Sequence, residues 1–161
     1  MEATKLLRKQ HEEVKGLFAQ YGEGESRSGK QALFDKIADA LAAHSTIEER
    51  VFYPSVYVGP LKDQLEEAVE EHLAAKRIIA DLLKMGPEDE QFDAKMTVLK
   101  EAIEHHVEEE EGELFPQVEK NFDSSELEAM GNEMETMFED LLKHEPRRNV
   151  PKETGEAAPL G

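Results

Sequence analysis

Apolar residues step forward by three and four through four long stretches of this chain, and each of the four stripes carries one histidine. That spacing marks one face of an α-helix, because side chains at i, i+3 and i+4 lie over one another. The first stripe reads Leu7, His11, Val14 and Phe18, and the second Phe34, Ile37, Leu41, His44 and Glu48. The third carries Leu61, Leu65, Ala68, His72 and Ile79. The fourth carries Phe92, Met96, Leu99, Ile103, His106 and Glu110. A helix that buries such a stripe buries its imidazole as well, and a polar group without a partner away from water is costly. A fold built on these stripes has to give four histidines and two glutamates something to bind.

Turn-forming residues separate the stretches. GEGESRSG, PSVYVGP and Gly86-Pro87 fall between helices expected at about residues 4–20, 30–53, 61–85 and 88–121. A fifth helix, about 124–144, opens at DSSELE, where Ser125 and Glu128 have capping-box spacing. Its Met130, Met134, Met137, Phe138 and Leu141 read as core packed on the other helices. Short connections favour antiparallel neighbours. The expected fold is therefore all-α, an up-down antiparallel four-helix bundle with an additional C-terminal helix. Residues 1–145 make one domain, and the tail PRRNVPKETGEAAPLG, residues 146–161, has the composition of a disordered end.

Charge and composition exclude several function classes. A formal net charge of −18 repels nucleic acid and anionic membrane surfaces alike. With no cysteine there is no disulfide, no thiolate catalysis, no Cys-ligated zinc and no iron–sulfur cluster. No apolar run approaches a membrane span, and the start MEATKLLRKQHEEV is polar and amphipathic, unlike a signal peptide. The expected location is the cytoplasm, and the oligomeric state is left open.

The histidines recur with a period. His44 follows His11 by 33 positions (44 − 11), and His106 follows His72 by 34 (106 − 72). The chain reads as two copies of a helical hairpin, each with His on its first helix and His-x-x-x-Glu on its second. Glu48 and Glu110 complete the copies. An i,i+4 pair puts both side chains on one face, one turn apart. Four imidazoles and two carboxylates converging in a dry bundle need a cation to offset their desolvation. Six ligands of nitrogen and oxygen exceed one tetrahedral zinc site and suit iron or manganese. Carboxylates can bridge two metals, and facing bundle helices host di-iron carboxylate sites.

One His, then His-x-x-x-Glu, repeated over four successive helices from about residue 4 to 121, resembles the hemerythrin HHE cation-binding family. The resemblance implies two non-haem iron ions joined by an oxo or hydroxo bridge. By the family's arrangement His11 and His44 bind one iron, His72 and His106 the other, and Glu48 and Glu110 bridge. Oxygen-carrying hemerythrins have a further His four residues after the third-helix His; here that position is Lys76. The loss of that ligand favours reaction with hydrogen peroxide over reversible carriage of dioxygen. The expected activity is catalase-like peroxide disproportionation. The alternative is binding, storage or sensing of iron, dioxygen or nitric oxide without turnover, with azide as a probe of open positions. His105 points about 100° away from His106 and reads as a surface or supporting residue. Glu49 and Glu111 read mostly as solvated face, Glu49 also as a substitute for Glu48. Tyr53 stands where the second copy has Phe115; both read first as closing the bundle end beneath Pro54 and Pro116, the alternative for Tyr53 being a phenol that ligates iron, donates a hydrogen bond or is oxidised.

Overall fold

The computed structural model describes residues 1–24 and 26–161; Glu25, in the loop expected after the first helix, lies outside the described residues. Helix α1 runs Ala3–Tyr21 and α2 runs Arg27–Ile47. Ser26 caps α2, its Oγ accepting from the Gly29 N–H at 3.2 Å. Past Ile47 the helix continues through a π-helical turn, Glu48–Phe52, into the short α3, Tyr53–Ser55. Helix α4 spans Lys62–Met85 and stops at Gly86, whose φ of 79° suits a residue without a Cβ. Helix α5 spans Phe92–Glu109, passes through a second π-helical turn, Glu110–Leu114, and continues as α6, Phe115–Asn121. Helix α7 covers Ser124–Leu142. Among the described residues there is no strand.

Both π-turns begin on the Glu of a His-x-x-x-Glu pair and end just before a proline. Pro54 and Pro116 have no N–H for the carbonyl four residues back. There the ladder widens, and the N–H of Tyr53 reaches Glu48 O while that of Phe115 reaches Glu110 O. The capping box of α7 is made by Asp123 and Glu126, two residues before the expected Ser125 and Glu128. Asp123 holds the extended backbone of a cap, whereas Ser125 is already inside the helix.

Helix α1 packs on α2, α4 packs on α5, and α7 lies against α1, α2 and the first π-turn. The buried apolar residues fall into two clusters. One holds Leu7, Ile47, Phe52, Leu65, Leu114, Phe115 and Met134, with Met130 and Met137 packed on it. The other holds Val14, Phe34, Ile37, Leu41, Ile79, Phe92, Met96 and Leu99. On each long helix the histidine falls, in sequence, between the residues of one cluster and those of the other. The polar layer therefore has an apolar wall on both sides.

Residues 146–153, expected to be disordered, instead form a 3-10 helix, Pro146–Glu153, packed on α2 and α4. Composition hid its two anchors. Val150 is buried in the second cluster, and Arg147 bonds the Asp39 carboxylate through its backbone N–H (3.0 Å) and its guanidinium (2.8 Å). Prolines at 146 and 151 fix φ and reduce the entropy lost on ordering.

The packing of α7 on the chain's start leaves no room at Gly131. A Cβ there would sit 1.9 Å from the Met1 carbonyl oxygen and 2.9 Å from the Ala3 nitrogen. Both are backbone atoms and cannot rotate aside. The Gly131→Ala variant is expected to lose about 1–3 kcal/mol, the usual cost of overpacking. At about 2–4 °C per kcal/mol for a chain of this size, calorimetry resolves that loss. An unchanged melting temperature would mean that the start of α1 yields freely.

Candidate metal centre

All six residues singled out by spacing meet in the layer between the two apolar clusters, and all are buried. His11 Nε2 lies 3.2 Å from His44 Nε2, and His72 Nε2 lies 3.2 Å from His106 Nε2. The two carboxylates sit between these pairs. Glu48 Oε1 is 3.3 Å from His44 Nε2, 3.0 Å from His72 Nε2 and 3.9 Å from His106 Nε2. Glu110 Oε1 is 3.2 Å from His11 Nε2 and 3.5 Å from His106 Nε2. Each glutamate thus reaches both histidine pairs. Donor atoms of His11, His44, Glu48 and Glu110 lie within 4.8 Å of one another, as do those of Glu48, His72 and His106.

The far side of every imidazole is also held. His11 Nδ1 faces Glu111 at 2.7 Å, His44 Nδ1 faces Gln10 Oε1 at 2.7 Å, His72 Nδ1 faces Glu49 at 2.8 Å, and His106 Nδ1 faces Glu71 at 2.7 Å. An acceptor at Nδ1 makes that nitrogen the donor, so a neutral ring presents a lone pair at Nε2. Four Nε2 lone pairs then face each other and two carboxylates, acceptor against acceptor. With the rings neutral, Glu48 Oε2 and Glu110 Oε1 are buried and have no hydrogen-bond donor. Such a set fits a cation held by imidazole nitrogen and carboxylate oxygen, with each imidazole oriented by an outer acceptor.

Without a cation, protons must do the same work. Burial lowers the pKa of His106, yet the charges and hydrogen bonds of Glu110, Glu48 and Glu71 hold it well above the ordinary value. His11 and His72 are also raised, against their burial, by Glu110 and by Glu48 with Glu49 respectively. Burial alone would raise Glu48, but His44, His106 and His72 hold it well below the usual carboxylate range. Glu110 is lowered against its burial and the Glu48 charge, chiefly by His106 and His11.

Tyr53 departs from the first of its sequence expectations. Phe115 does close the site as an apolar residue, stacked on His11 at 5.8 Å between ring centroids. Tyr53 instead points its hydroxyl inward. It donates to Glu110 Oε2 at 2.6 Å, and lies 3.2 Å from Glu48 Oε1 and 3.3 and 3.4 Å from the Nε2 atoms of His72 and His106. A π-turn brings i and i+5 onto one face, so Tyr53 follows Glu48 into the centre. Its pKa is pushed well above the ordinary value by burial and by the two carboxylates.

Lys76 is buried, but its Nζ bonds Glu49 at 2.9 Å and Glu153 at 3.3 Å instead of turning to the histidines. His105 is exposed and pairs with Glu109 at 3.0 Å, outside the centre. Sequence reasoning missed Gln10 and Glu71, and misread Glu49 and Glu111 as solvated face. The repeat holds their signal. Gln10 and Glu71 each precede the first His of a copy, and Glu49 and Glu111 each follow its Glu. Beside the four histidines lies a cavity of about 40 Å³, otherwise walled largely by aliphatic side chains and closed in part by Val150. By that measure it has room for a few water-sized molecules.

Residues 2–118 match the family described as the hemerythrin HHE cation binding domain. A DNA nickase of Nostoc sp. is 26% identical over 133 residues, 83% of this chain; the chain spans only 38% of that protein's length. The uncharacterized protein Rv2633c of Mycobacterium tuberculosis is 27% identical over 143 residues, 88% of each chain. A crystal structure of an HHE cation binding domain-containing protein from Mycobacterium kansasii, a homolog of Rv2633c, superimposes with a TM-score of 0.78 at 25% identity, covering 89% of this chain and 88% of that one. The matched span takes in every helix that brings a residue to the centre, and this chain belongs to the hemerythrin HHE cation-binding domain family.

Proposed function

We propose that this chain holds two non-haem iron ions and disproportionates hydrogen peroxide, two molecules giving two waters and one dioxygen. His11 and His44 would hold one iron and His72 and His106 the other, with Glu48 and Glu110 shared between the two positions, on four long helices running up and down. The observation that carries this reading is the convergence of four imidazole Nε2 atoms on two carboxylates with unbonded buried oxygens. Bound iron would supply a ferric–ferrous couple and an electrophile for a peroxide oxygen. The chain's own residues do the rest. The cavity of about 40 Å³ beside the histidines suits peroxide, dioxygen, nitric oxide or azide and excludes larger reductants. The Tyr53 hydroxyl does not line that cavity; from the first apolar cluster it holds the Glu110 carboxylate by a hydrogen bond. Lys76, engaged with Glu49, leaves one ligand fewer than an oxygen carrier has, which favours turnover over storage. Nicking of nucleic acid does not come over from the Nostoc relative, because a formal charge of −18 repels a phosphate backbone. The reading belongs with a cytoplasmic protein, whose peroxide arrives by diffusion.

The test is iron content, near-ultraviolet absorbance with azide, and dioxygen release on adding peroxide. Protein from iron-supplemented cells is expected to carry two irons and to evolve dioxygen. His44→Ala should keep one iron and lose turnover. Glu48→Gln, which touches both positions, should weaken both, on the order of 100-fold or more, since even outer partners of metal ligands are worth 10–100-fold. A two-iron protein that binds azide and evolves no dioxygen would reject catalysis and leave a binding role.

A further inference from the structure

We propose that the two metal positions are built unequal, with Gln10 making the one at His11 and His44 the weaker and more readily exchanged. The inference rests on the two-metal reading above and follows from comparing the two copies of the hairpin. Gln10 and Glu71 occupy the same place in their copies, one residue before His11 and His72. Each accepts from the Nδ1 of its copy's second-helix histidine, at 2.7 Å in both cases. Their chemistry differs. A carboxylate draws the Nδ1 proton toward itself and strengthens the Nε2 lone pair as a donor, while a neutral amide oxygen does so far less. His11 and His72 are matched, since both are backed by carboxylates, Glu111 and Glu49. The position at His72 and His106 thus has two carboxylate-backed imidazoles, and the position at His11 and His44 has one.

Charge further out agrees in sign. Lys76 offsets Glu49 at 2.9 Å but is shared with Glu153 at 3.3 Å. Glu49, Glu71, Glu153 and Lys76 together carry a formal −2, against −1 for Glu111 with Gln10. The polar Tyr53 hydroxyl lies 3.3 Å from His72 Nε2 and 3.4 Å from His106 Nε2, while the apolar Phe115 holds the matching place beside His11. Gln10 is a positioning residue, acting on the metal only through His44.

The experiment is an anaerobic titration of the metal-free full chain with Co²⁺, read by calorimetry and by the visible bands of the bound ion. Two steps are expected, separated by about tenfold or more, the worth of an outer partner. His106→Ala should remove the tight step and His44→Ala the weak one. Gln10→Glu should tighten the weak step and draw the two together, and the isosteric Glu71→Gln should loosen the tight step by a similar factor. If Gln10→Glu does not fold, Glu71→Gln decides alone. Two equal sites, or a gap that Glu71→Gln leaves unchanged, would overturn the inference while leaving the two-metal reading intact. A chain that takes up no Co²⁺ would overturn both.

Discussion

Removing metal from the loaded protein with a strong chelator is expected to lower its melting temperature by about 8–16 °C for each position emptied. A ligand at 1,000 times its dissociation constant stabilises the folded chain by about 4 kcal/mol. For a chain of this size each kcal/mol is worth about 2–4 °C. The reason lies in the layer of buried acceptors. With the rings neutral, Glu48 Oε2 and Glu110 Oε1 have no hydrogen-bond donor, and four imidazoles turn their Nε2 atoms toward one another. A cation satisfies all of them at once, and the metal-free chain can do so only by binding protons. Its stability should therefore depend on pH in a definite sense. His11, His72 and His106 are raised above the ordinary 6.5, so their contribution is full below that value and fades as pH rises through the higher folded pKa values. Glu48 and Glu110 are lowered below 4.5, so theirs is full above that value and fades as pH falls. The metal-free chain should be most stable between about pH 4.5 and 6.5, and the loaded chain should gain most above that window, where protons no longer compete. Melting curves from pH 4 to 9 with and without chelator check both statements. Superimposable curves would mean that no cation belongs in the layer.

The convergence of the six residues was legible because the pattern is written twice. A single imidazole on an apolar stripe is ordinary, whereas His44 with Glu48 and His106 with Glu110, each paired with an earlier His at matched distance, is not. The outer partners were not legible for a geometric reason. Gln10 and Glu71 stand about 100° around the helix from the neighbouring His, off the apolar stripe. They support the histidine of the adjacent helix, a relation that exists only once helices pack. The inward turn of Tyr53 was hidden because a π-turn leaves no trace in a three-and-four periodicity; only Pro54, just past it, hinted that the ladder would break. The tail failed on composition. Its Pro, Gly, Glu and Lys content describes an average segment, and the folded state uses particular residues of it, Arg147 and Val150 above all.

A chain cut after residue 145 is expected to fold with the same helices, to melt about 6–12 °C lower, and to admit azide to the loaded centre faster. Val150 is buried almost completely, and burying a valine is worth about 1.5–3 kcal/mol. Arg147 makes two hydrogen bonds to the part-buried Asp39 carboxylate, and bonds of that charged kind contribute about 1.5–3 kcal/mol. Together these come to about 3–6 kcal/mol, and the lower end, since a cut chain relaxes around the gap, sets the expected shift in melting temperature. The same cut changes access. Val150 is part of the wall of the cavity beside the four histidines, and Glu153 is one of the two partners that hold Lys76 at its edge. With both gone, one side of the cavity faces water and Lys76 has Glu49 alone. Asp39→Asn separates the two effects. It loosens Arg147 without removing Val150, so it should cost part of the stability and leave the azide rate nearly as it was. If the cut chain melted with the full one and took up azide no faster, the tail would be a passenger, and the closure of the cavity would have to come from the side chains of the long helices, Val14, Leu41, Ile79 and Ile103 among them.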